Sequence, residues 1–212
     1  MKVTAVIDSV RALYLTQFKK YGIDNKSLFW PKGRQRIRFE QHLSMLENSK
    51  KRSNETLSIL DYGCGFSDLY EYIINANISV SEYIGVDILD EFLQVGKKKF
   101  NQNNYYTRDF FCSNIHITAD LIVASGTFNI RYFNEYEKNY KFLLSEITML
   151  SKRAKSYISF DFMTDQVDYM NINAFHISPA RLERDLKENF NFRKVQIIKS
   201  KIPYEFLGQI WI

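Results

Sequence analysis

The chain has 212 residues, of which 45% are hydrophobic and 25% are charged, and its formal net charge is +5. This length supports one domain with a full core and is too short for two comfortable ones. The charge is modest and its lysines and arginines are spread along the chain, which disfavours nucleic acid as a partner. The start lacks the apolar core of a signal peptide, and no apolar run approaches the roughly 20 residues of a membrane-spanning helix. We therefore expect a cytoplasmic protein without membrane insertion.

The cysteines and histidines give no sign of a disulfide framework or a metal centre. Cys64 and Cys112 lie in no CxxC pair, and we expect both to be small buried residues. His42, His116 and His176 are far apart in the sequence, and no pair has the spacing of a zinc-binding helix. We therefore expect no metal site.

The periodicity of apolar residues changes along the chain. It predicts two helices at the start, one ending near residue 22 and one over 35–46. From residue 57 onward, short apolar runs typical of buried strands alternate with helical segments. The predicted strands are 57–60, 83–86, 119–124, 156–162, 195–198 and 206–211, with a further short strand ahead of Asp109. The predicted helices are 68–74, 91–100, 136–150 and one that Pro179 opens.

This alternation predicts the fold class. Strands separated by helices favour a mainly parallel sheet with helices on both faces. The last two strands have no helix between them and should form an antiparallel hairpin at one edge. We predict an α/β, Rossmann-like fold with seven strands. Residues 1–212 should form a single domain, with an N-terminal helical cap over 1–54 and the core over 55–212.

The segment LSILDYGCGFSDLYEYI, residues 57–73, places two glycines between a strand and a helix. In an open parallel sheet a ligand binds beyond the carboxyl ends of the strands, where Gly63 and Gly65 let the backbone approach it. The dinucleotide fingerprint needs a third glycine where Asp68 stands, and a carboxylate there would repel a diphosphate. Asp61 can accept a hydrogen bond from an ammonium group. The turn therefore suits a ligand with an amino-acid end and no phosphate.

A second acidic residue ends the next strand. Asp87 lies twenty-two positions beyond Gly65 (87 − 65), where a carboxylate accepts both hydroxyls of a ribose. The adjacent Ile88 would then flank the adenine.

An acid-GxG turn followed by a ribose acid resembles the class I S-adenosylmethionine-dependent methyltransferases, from about Leu57 to the end of the chain. The resemblance implies S-adenosylmethionine as the cofactor, with a methionine pocket shaped by Asp61 and the two glycines and a ribose held by Asp87. It also implies that Asp109, in the TRDFF segment, approaches the adenine amine. The further cofactor-binding residues expected on this basis are Phe110, Ser125 and Gly126.

A narrower resemblance covers most of the chain. FWPKGRQRIRFE, SGTFN, DFMTDQVDYMNINAFHISP and PYEFLGQIWI are similar to segments of small bacterial methyltransferases, some associated with surface-polysaccharide synthesis. Four positions match a recurring pattern there: Trp30, Gln35, Arg38 and Phe39. The match implies a cap that helps to bind the cofactor carboxylate or the acceptor, so Arg38 joins the expected cofactor-binding residues. Two residues depart from the pattern: Ser67 replaces a frequent third glycine, and Asp161 replaces an expected asparagine.

The expected chemistry needs a nucleophile aligned with an electrophilic methyl group and a route for one proton. A hydroxyl acceptor profits from a general base near the cleft. The candidate bases are Asp168 and His176, because the loop between the fifth strand and the Pro179 helix leaves the sheet at its ligand-bearing end. Asp161 and Asp165 are the alternatives.

We therefore expect methyl transfer to a small polar acceptor, most often a hydroxyl of a sugar or glycan intermediate and less readily an amine. The SGTFN loop lacks the double proline of amino-methylating DNA enzymes, and neither cysteine lies in a loop suited to cytosine methylation. Two other readings remain: a binding or regulatory module that keeps the fold without chemistry, and an NAD-dependent oxidoreductase, which Asp68 disfavours. The sequence leaves the oligomeric state open.

Overall fold

A computed structural model gives the structure of residues 3–29, 33–50 and 56–212. Trp30 lies outside these described residues. Within them the strands are β1 (Ser58–Tyr62), β2 (Glu82–Asp87), β3 (Tyr105–Thr107), β4 (Ala119–Ala124), β5 (Ala154–Thr164), β6 (His176–Ile177), β7 (Lys194–Lys199) and β8 (Glu205–Trp211). The α-helices are α1 (Val3–Tyr21), α2 (Gln35–Lys50), α3 (Asp68–Asn75), α4 (Asp90–Phe100), α5 (Arg108–Ser113), α6 (Tyr136–Ser151) and α7 (Pro179–Asn189).

The sheet has the order β3-β2-β1-β4-β5-β8-β7, and β1 to β5 pair in parallel with one another. β8 runs antiparallel to both β5 and β7. The two-residue β6 lies off this path and pairs with the end of β5. The predicted α/β fold, with its mainly parallel sheet and antiparallel C-terminal hairpin, is confirmed.

Local sequence explains most element bounds. Ser178 accepts a hydrogen bond from the amide of Arg181, and Pro179 occupies the first turn of α7, so this helix begins where predicted. α4 ends at Asn101, whose left-handed conformation stops the helix. The sequence reading gave no bounds for β3, α5 or β6, because two- and three-residue strands and a six-residue helix are too short to show a period.

The two N-terminal helices pack on the sheet's carboxyl-end region through separate apolar clusters. α2 buries Phe39 and Leu43 in one cluster with Val123 of β4. α1 places Tyr14 and Phe18 against a second cluster around Phe66, Leu89 and Phe92. In the part of the chain that the structure describes, none of the helices has the length and apolar character needed to cross a bilayer.

Candidate active site

A cavity of about 990 Å³ opens at the carboxyl ends of β1, β2 and β4. Its floor includes Asp61, Asp87 and Ser125, which end or follow these strands. Helix α1 covers it with Val10 and Tyr14 among other residues. Pockets for small organic ligands span roughly 300–1,000 Å³, so this cavity has room for a cofactor and part of a second molecule.

The glycine turn after β1 has the strained geometry that only glycine adopts without cost. Gly63 and Gly65 have φ angles of 85° and 52°. A Cβ atom on Gly63 would lie 2.2 Å from Oγ1 of Thr127, whose hydroxyl donates to the Tyr62 carbonyl at 2.7 Å. A Cβ on Gly65 would lie 3.1 Å from Leu28. The backbone thus passes close to its neighbours, and the amides of Gly63 and Cys64 donate to the Val86 carbonyl at 2.7 and 3.0 Å.

Asp61 is a buried carboxylate without a cationic partner among the described residues. Its Oδ2 accepts a hydrogen bond of 2.7 Å from the hydroxyl of Tyr83, a ring that stacks on Tyr70 at 4.3 Å. Within the described ranges, the structure shows no hydrogen-bond donor for its other oxygen, Oδ1. Burial, together with the nearby carboxylates of Asp87 and Asp68, raises the pKa of Asp61 to about 7, against the lowering effect of the hydrogen bond from Tyr83. A positively charged group in the cavity would stabilise this side chain.

Asp87 fixes the turn and faces the same cavity. Its Oδ2 accepts from the amide of Gly65 at 2.9 Å, and its Oδ1 accepts from the amide of Leu89 at 3.0 Å. Burial raises its pKa to about 6, against the lowering effect of these amides. A carboxylate oxygen can accept more than one hydrogen bond, so Asp87 can still receive two vicinal hydroxyls. Ile88 lines the cavity beside it.

Two predicted adenine-site residues lie outside the cavity lining. The Asp109 side chain is 65% exposed and accepts a 2.9 Å hydrogen bond from Arg11. Phe110 is also exposed and stacks on Tyr106 with 5.4 Å between ring centroids. Their neighbour Arg108 lines the cavity instead. The structure therefore does not bring Asp109 and Phe110 into the cavity lining.

Arg108 belongs to a buried cluster that sequence reasoning missed. Its Nε donates to the Tyr62 hydroxyl at 2.9 Å, and its guanidinium pairs with Glu146 of α6. The Tyr62 hydroxyl donates to Glu146 as well. Glu146 also lines the cavity. The three side chains come from β1, α5 and α6, so no short sequence motif predicts this cluster.

A second polar cluster surrounds Asp161 on β5. The Ser125 hydroxyl, the Gly126 amide and the Asn129 side-chain amide donate to its carboxylate at 2.9–3.0 Å, and Nε2 of His42 lies 3.0 Å from its Oδ2. Arg38 approaches it at 3.8 Å. Burial alone would raise the pKa of Asp161, but Arg38 and His42 outweigh this effect, so the pKa lies below its ordinary value. We call these residues, together with Glu205, the Asp161 cluster.

Arg38 lies in the cavity wall, but its guanidinium faces the protein. Its Nε donates to Glu205 of β8 at 2.8 Å, and its Nη2 also donates to that carboxylate. Burial lowers the pKa of Arg38, yet Asp161 and Glu205 raise it above the ordinary value. Gln35, one turn earlier on α2, donates to Asp68 at 2.9 Å. The cap helix is thus tied to β5, β8 and the start of α3.

Comparison with known proteins decides the family. The model of the ubiE/COQ5 methyltransferase family matches residues 35–144, which is half of the chain. The chain belongs to the ubiE/COQ5 methyltransferase family. It is an S-adenosylmethionine-dependent methyltransferase with the class I fold.

Several individual proteins are similar to this methyltransferase. A provisionally named methyltransferase of Mycobacterium tuberculosis (strain ATCC 25618 / H37Rv), Rv1506c, is 26% identical over 155 residues, which is 72% of this chain and 91% of the relative. Magnesium protoporphyrin IX methyltransferase from Synechocystis PCC 6803, solved with S-adenosylhomocysteine, has a TM-score of 0.63 at 14% identity, with 99% of each chain covered. The plantazolicin methyltransferase BamL also has a TM-score of 0.63, at 12% identity and the same coverage.

The cavity of this methyltransferase fits S-adenosylmethionine by the chemistry of its donor set. Asp61 is a buried carboxylate without a cationic partner in the described part of the chain, and an amino-acid ammonium group would supply one. Asp87 offers acceptors for vicinal hydroxyls, and Gly63 and Gly65 keep the turn free of side chains. The cofactor-end residues from the sequence reading therefore come together, and Ser125 and Gly126 also line the cavity.

The predicted bases do not line the cavity. Asp168 is exposed on the loop between β5 and β6. His176 is buried, and its Nδ1 lies 2.8 Å from the Thr164 carbonyl oxygen, while Nε2 has no hydrogen-bond partner among the described residues. The alternative Asp161 is enclosed by its own cluster, and Asp165 is half-buried in the loop. The position of this loop in the sequence predicted a base near the cavity. The pairing of β6 with β5 instead places His176 inside the protein, outside the cavity lining.

Ser67 shows how the departure from a third glycine is accommodated. It has a left-handed conformation with φ 64° at the start of α3. Its hydroxyl is buried without a hydrogen-bond partner in the residues described. Gly96 of α4 makes the room, because a Cβ at that position would lie 2.4 Å from the Ser67 oxygen.

Proposed function

We propose that this methyltransferase transfers the methyl group of S-adenosylmethionine to a hydroxyl group of a small polar acceptor, such as a sugar or a glycan intermediate. The supporting observation is the polar, exposed end of the cavity. Three asparagines line it there: Asn134, Asn171 and Asn173. An asparagine amide both donates and accepts hydrogen bonds, as a hydroxyl does, so this end suits a hydroxylated molecule.

Arg131 holds this end together. Its guanidinium donates to the carbonyl oxygens of Phe133, Ile172 and Asn134, so it joins the loop after β4 to the loop before β6. The amide of Asn173 donates to Oδ1 of Asn171 at 2.9 Å. The asparagines are therefore presented on a braced surface, which would restrict the orientation of an acceptor.

We assign the cofactor contacts by the chemistry of each group. Asp61 would hold the ammonium group, and Asp87 would hold the ribose hydroxyls. The turn at Gly63 would let the cofactor approach the backbone closely. When bound, S-adenosylmethionine supplies an electrophilic methyl group on a sulfonium sulfur. The braced mouth would align the acceptor hydroxyl, and its exposure lets water take up the proton. Because α1 and α2 both line the cavity, we propose that they belong to the same catalytic domain.

The acceptor class rests on this cavity and on the narrower resemblance to methyltransferases associated with surface polysaccharides. The substrates named for the two structural neighbours, a magnesium porphyrin and plantazolicin, differ from each other. We therefore infer the acceptor from the residues of this chain.

The test is methyl transfer from labelled S-adenosylmethionine to a panel of nucleotide sugars and small polyols, with matched amines as competitors. We expect label in hydroxyl acceptors. Asp87→Ala should reduce it by weakening cofactor binding on the order of 1–3 kcal/mol, because a ribose loses its partner. Label confined to the amines would overturn the hydroxyl assignment. Cofactor binding without transfer to any member would favour a binding module.

A further inference from the structure

Helix α1 forms part of the wall at the adenosine end of the proposed cofactor site. Val10, Leu13 and Tyr14 line the cavity on one face of this helix. The same helix packs against α4, where the rings of Tyr14 and Phe92 meet edge to face with 5.9 Å between their centroids. The chain therefore encloses its cofactor region with a segment that lies outside the sheet and its crossover helices.

One side chain of α1 joins this helix to two segments of the core. Nε of Arg11 donates to the carbonyl of Ile88 at 2.8 Å, and Nη2 donates to Oδ2 of Asp109 at 2.9 Å. Nη1 pairs with Asp8 on the helix itself at 2.6 Å. Ile88 directly follows Asp87 and lines the cavity, and Asp109 directly follows the cavity residue Arg108.

These contacts account for the position of Asp109. Its carboxylate is at the outer edge because it receives the guanidinium of Arg11. The pair is exposed, so its net contribution to folding should be small. Its geometric contribution is larger, because a planar guanidinium can hold a carbonyl and a carboxylate at fixed positions at the same time.

We propose that Arg11 is a positioning residue for the adenosine part of the cofactor. It fixes the Ile88 backbone beside the ribose carboxylate and keeps helix α1 closed over the site through Asp109. This inference rests on the cofactor placement of the proposed function. A lysine has one compact charge and cannot replace both contacts.

The test measures binding of S-adenosylhomocysteine by calorimetry. It measures binding of adenosine by the ability of adenosine to displace S-adenosylhomocysteine. Arg11→Gln should weaken both ligands about tenfold, which corresponds to 1.4 kcal/mol. Asp109→Asn should weaken them less, because Arg11 keeps its hydrogen bond to the Ile88 carbonyl, and the double variant should be little worse than Arg11→Gln, which already lacks the contact with Asp109. Arg11→Lys should recover only part of the loss.

The matched control is Arg36→Gln, which removes an exposed arginine from the Arg36–Glu40 pair on α2. It should bind both ligands as wild type does. Circular dichroism should show the same unfolding midpoint for all ligand-free variants. Hydrogen exchange should show that S-adenosylhomocysteine protects α1 in wild type and protects it less in Arg11→Gln.

Three results would overturn the proposal. Arg11→Gln could bind both ligands as tightly as wild type. It could lose S-adenosylhomocysteine affinity while adenosine affinity stays unchanged, which would place the effect at the amino-acid end. Wild type could bind neither ligand, and that result, unlike the other two, would refute the cofactor placement itself.

Discussion

The two ends of the cavity are built from residues at very different distances along the chain. At the cofactor end, the hydrogen bond between Tyr83 and Asp61 spans 22 residues, as does that between Asp87 and Gly65. In the Asp161 cluster, beside the loop after β4, the bond between Arg38 and Glu205 spans 167 residues. The residues proposed for the methionine and ribose parts of the cofactor therefore belong to one strand-turn-helix unit and its neighbouring strand. The Asp161 cluster depends on contacts that exist only once the whole chain has folded.

The largest effect should come from breaking the local unit at its tightest point. Gly63→Ala adds a Cβ 2.2 Å from Oγ1 of Thr127 at a φ of 85°. Left-handed strain and overpacking together should lower the free energy of unfolding by about 2–4 kcal/mol. S-adenosylhomocysteine binding should fall below detection in calorimetry.

Gly22→Ala is the control for this prediction. Gly22 has a φ of 64°, but apart from its two chain neighbours no described residue has an atom within 4 Å of an added Cβ, so this variant carries the backbone strain alone. It should cost about 1 kcal/mol and leave binding unchanged. Equal costs for the two variants would show that the contact with Thr127 does not constrain the turn.

Asp161→Asn tests the Asp161 cluster, whose members are far apart in the sequence. Every close group around this carboxylate donates, and the Asn129 amide is oriented by the Met163 amide, which donates to its Oδ1 at 2.9 Å. A side-chain NH₂ would face donors and leave Arg38 with less compensating charge. The free energy of unfolding in urea should fall by about 2 kcal/mol.

The exposed Asp168→Asn is the matched control and should change stability by less than about 0.5 kcal/mol. S-adenosylhomocysteine affinity should fall far less in Asp161→Asn than in Asp87→Ala. An Asp161→Asn protein as stable as wild type would mean that the Asp161 cluster does not hold α2 and the loop after β4 to the sheet.

The stability of the ligand-free protein should depend on pH through Asp61 and Asp87, the two buried carboxylates at the cofactor end. The folded-state pKa values of Asp61, about 7, and Asp87, about 6, lie above the ordinary value of 3.8. Folding therefore favours their protonated forms, and the stability that they contribute is present below about pH 4 and lost as the pH rises through 6 and 7.

Asp61→Asn removes one of these losses and keeps an acceptor for Tyr83. At pH 8 the ligand-free variant should be about 1–3 kcal/mol more stable than wild type in urea titrations, and the gain should shrink at pH 5. Its affinity for S-adenosylhomocysteine should fall. A variant with lower stability than wild type at pH 8 would contradict the raised pKa of Asp61.

Ser67→Gly should have the smallest effect, and it should stabilise the protein. It relieves a left-handed serine and removes a buried hydroxyl without a partner among the described residues. Thermal unfolding should show a gain of about 1 kcal/mol. A loss of stability would mean that packing of Ser67 against Gly96 outweighs the strain.

The cofactor end could be read from the sequence because its signals are local. The strand, the two glycines and the spacing to Asp87 all lie in one short stretch, and the structure brings these residues to one cavity. The element bounds followed for the same reason wherever a helix or strand was long enough to show its period.

The remaining features depend on distant partners that spacing does not encode. His42 gave no signal beyond its isolation from other histidines, yet it is buried against Ser159 and Asp161. Asp109 was expected at the adenine, but Arg11, 98 residues away, holds it at the outer edge. Asp168 and His176 were chosen from loop position, and pairing of β6 with β5 decides where His176 lies.

The most direct test of the central claim is calorimetric titration of the protein with S-adenosylmethionine and S-adenosylhomocysteine, with NAD as the control and Gly63→Ala as the matched variant. We expect micromolar binding of both sulfur nucleosides to wild type, no binding of NAD, and no binding of any of the three to Gly63→Ala. Binding of NAD, or equal affinity of wild type and Gly63→Ala for S-adenosylhomocysteine, would contradict this expectation.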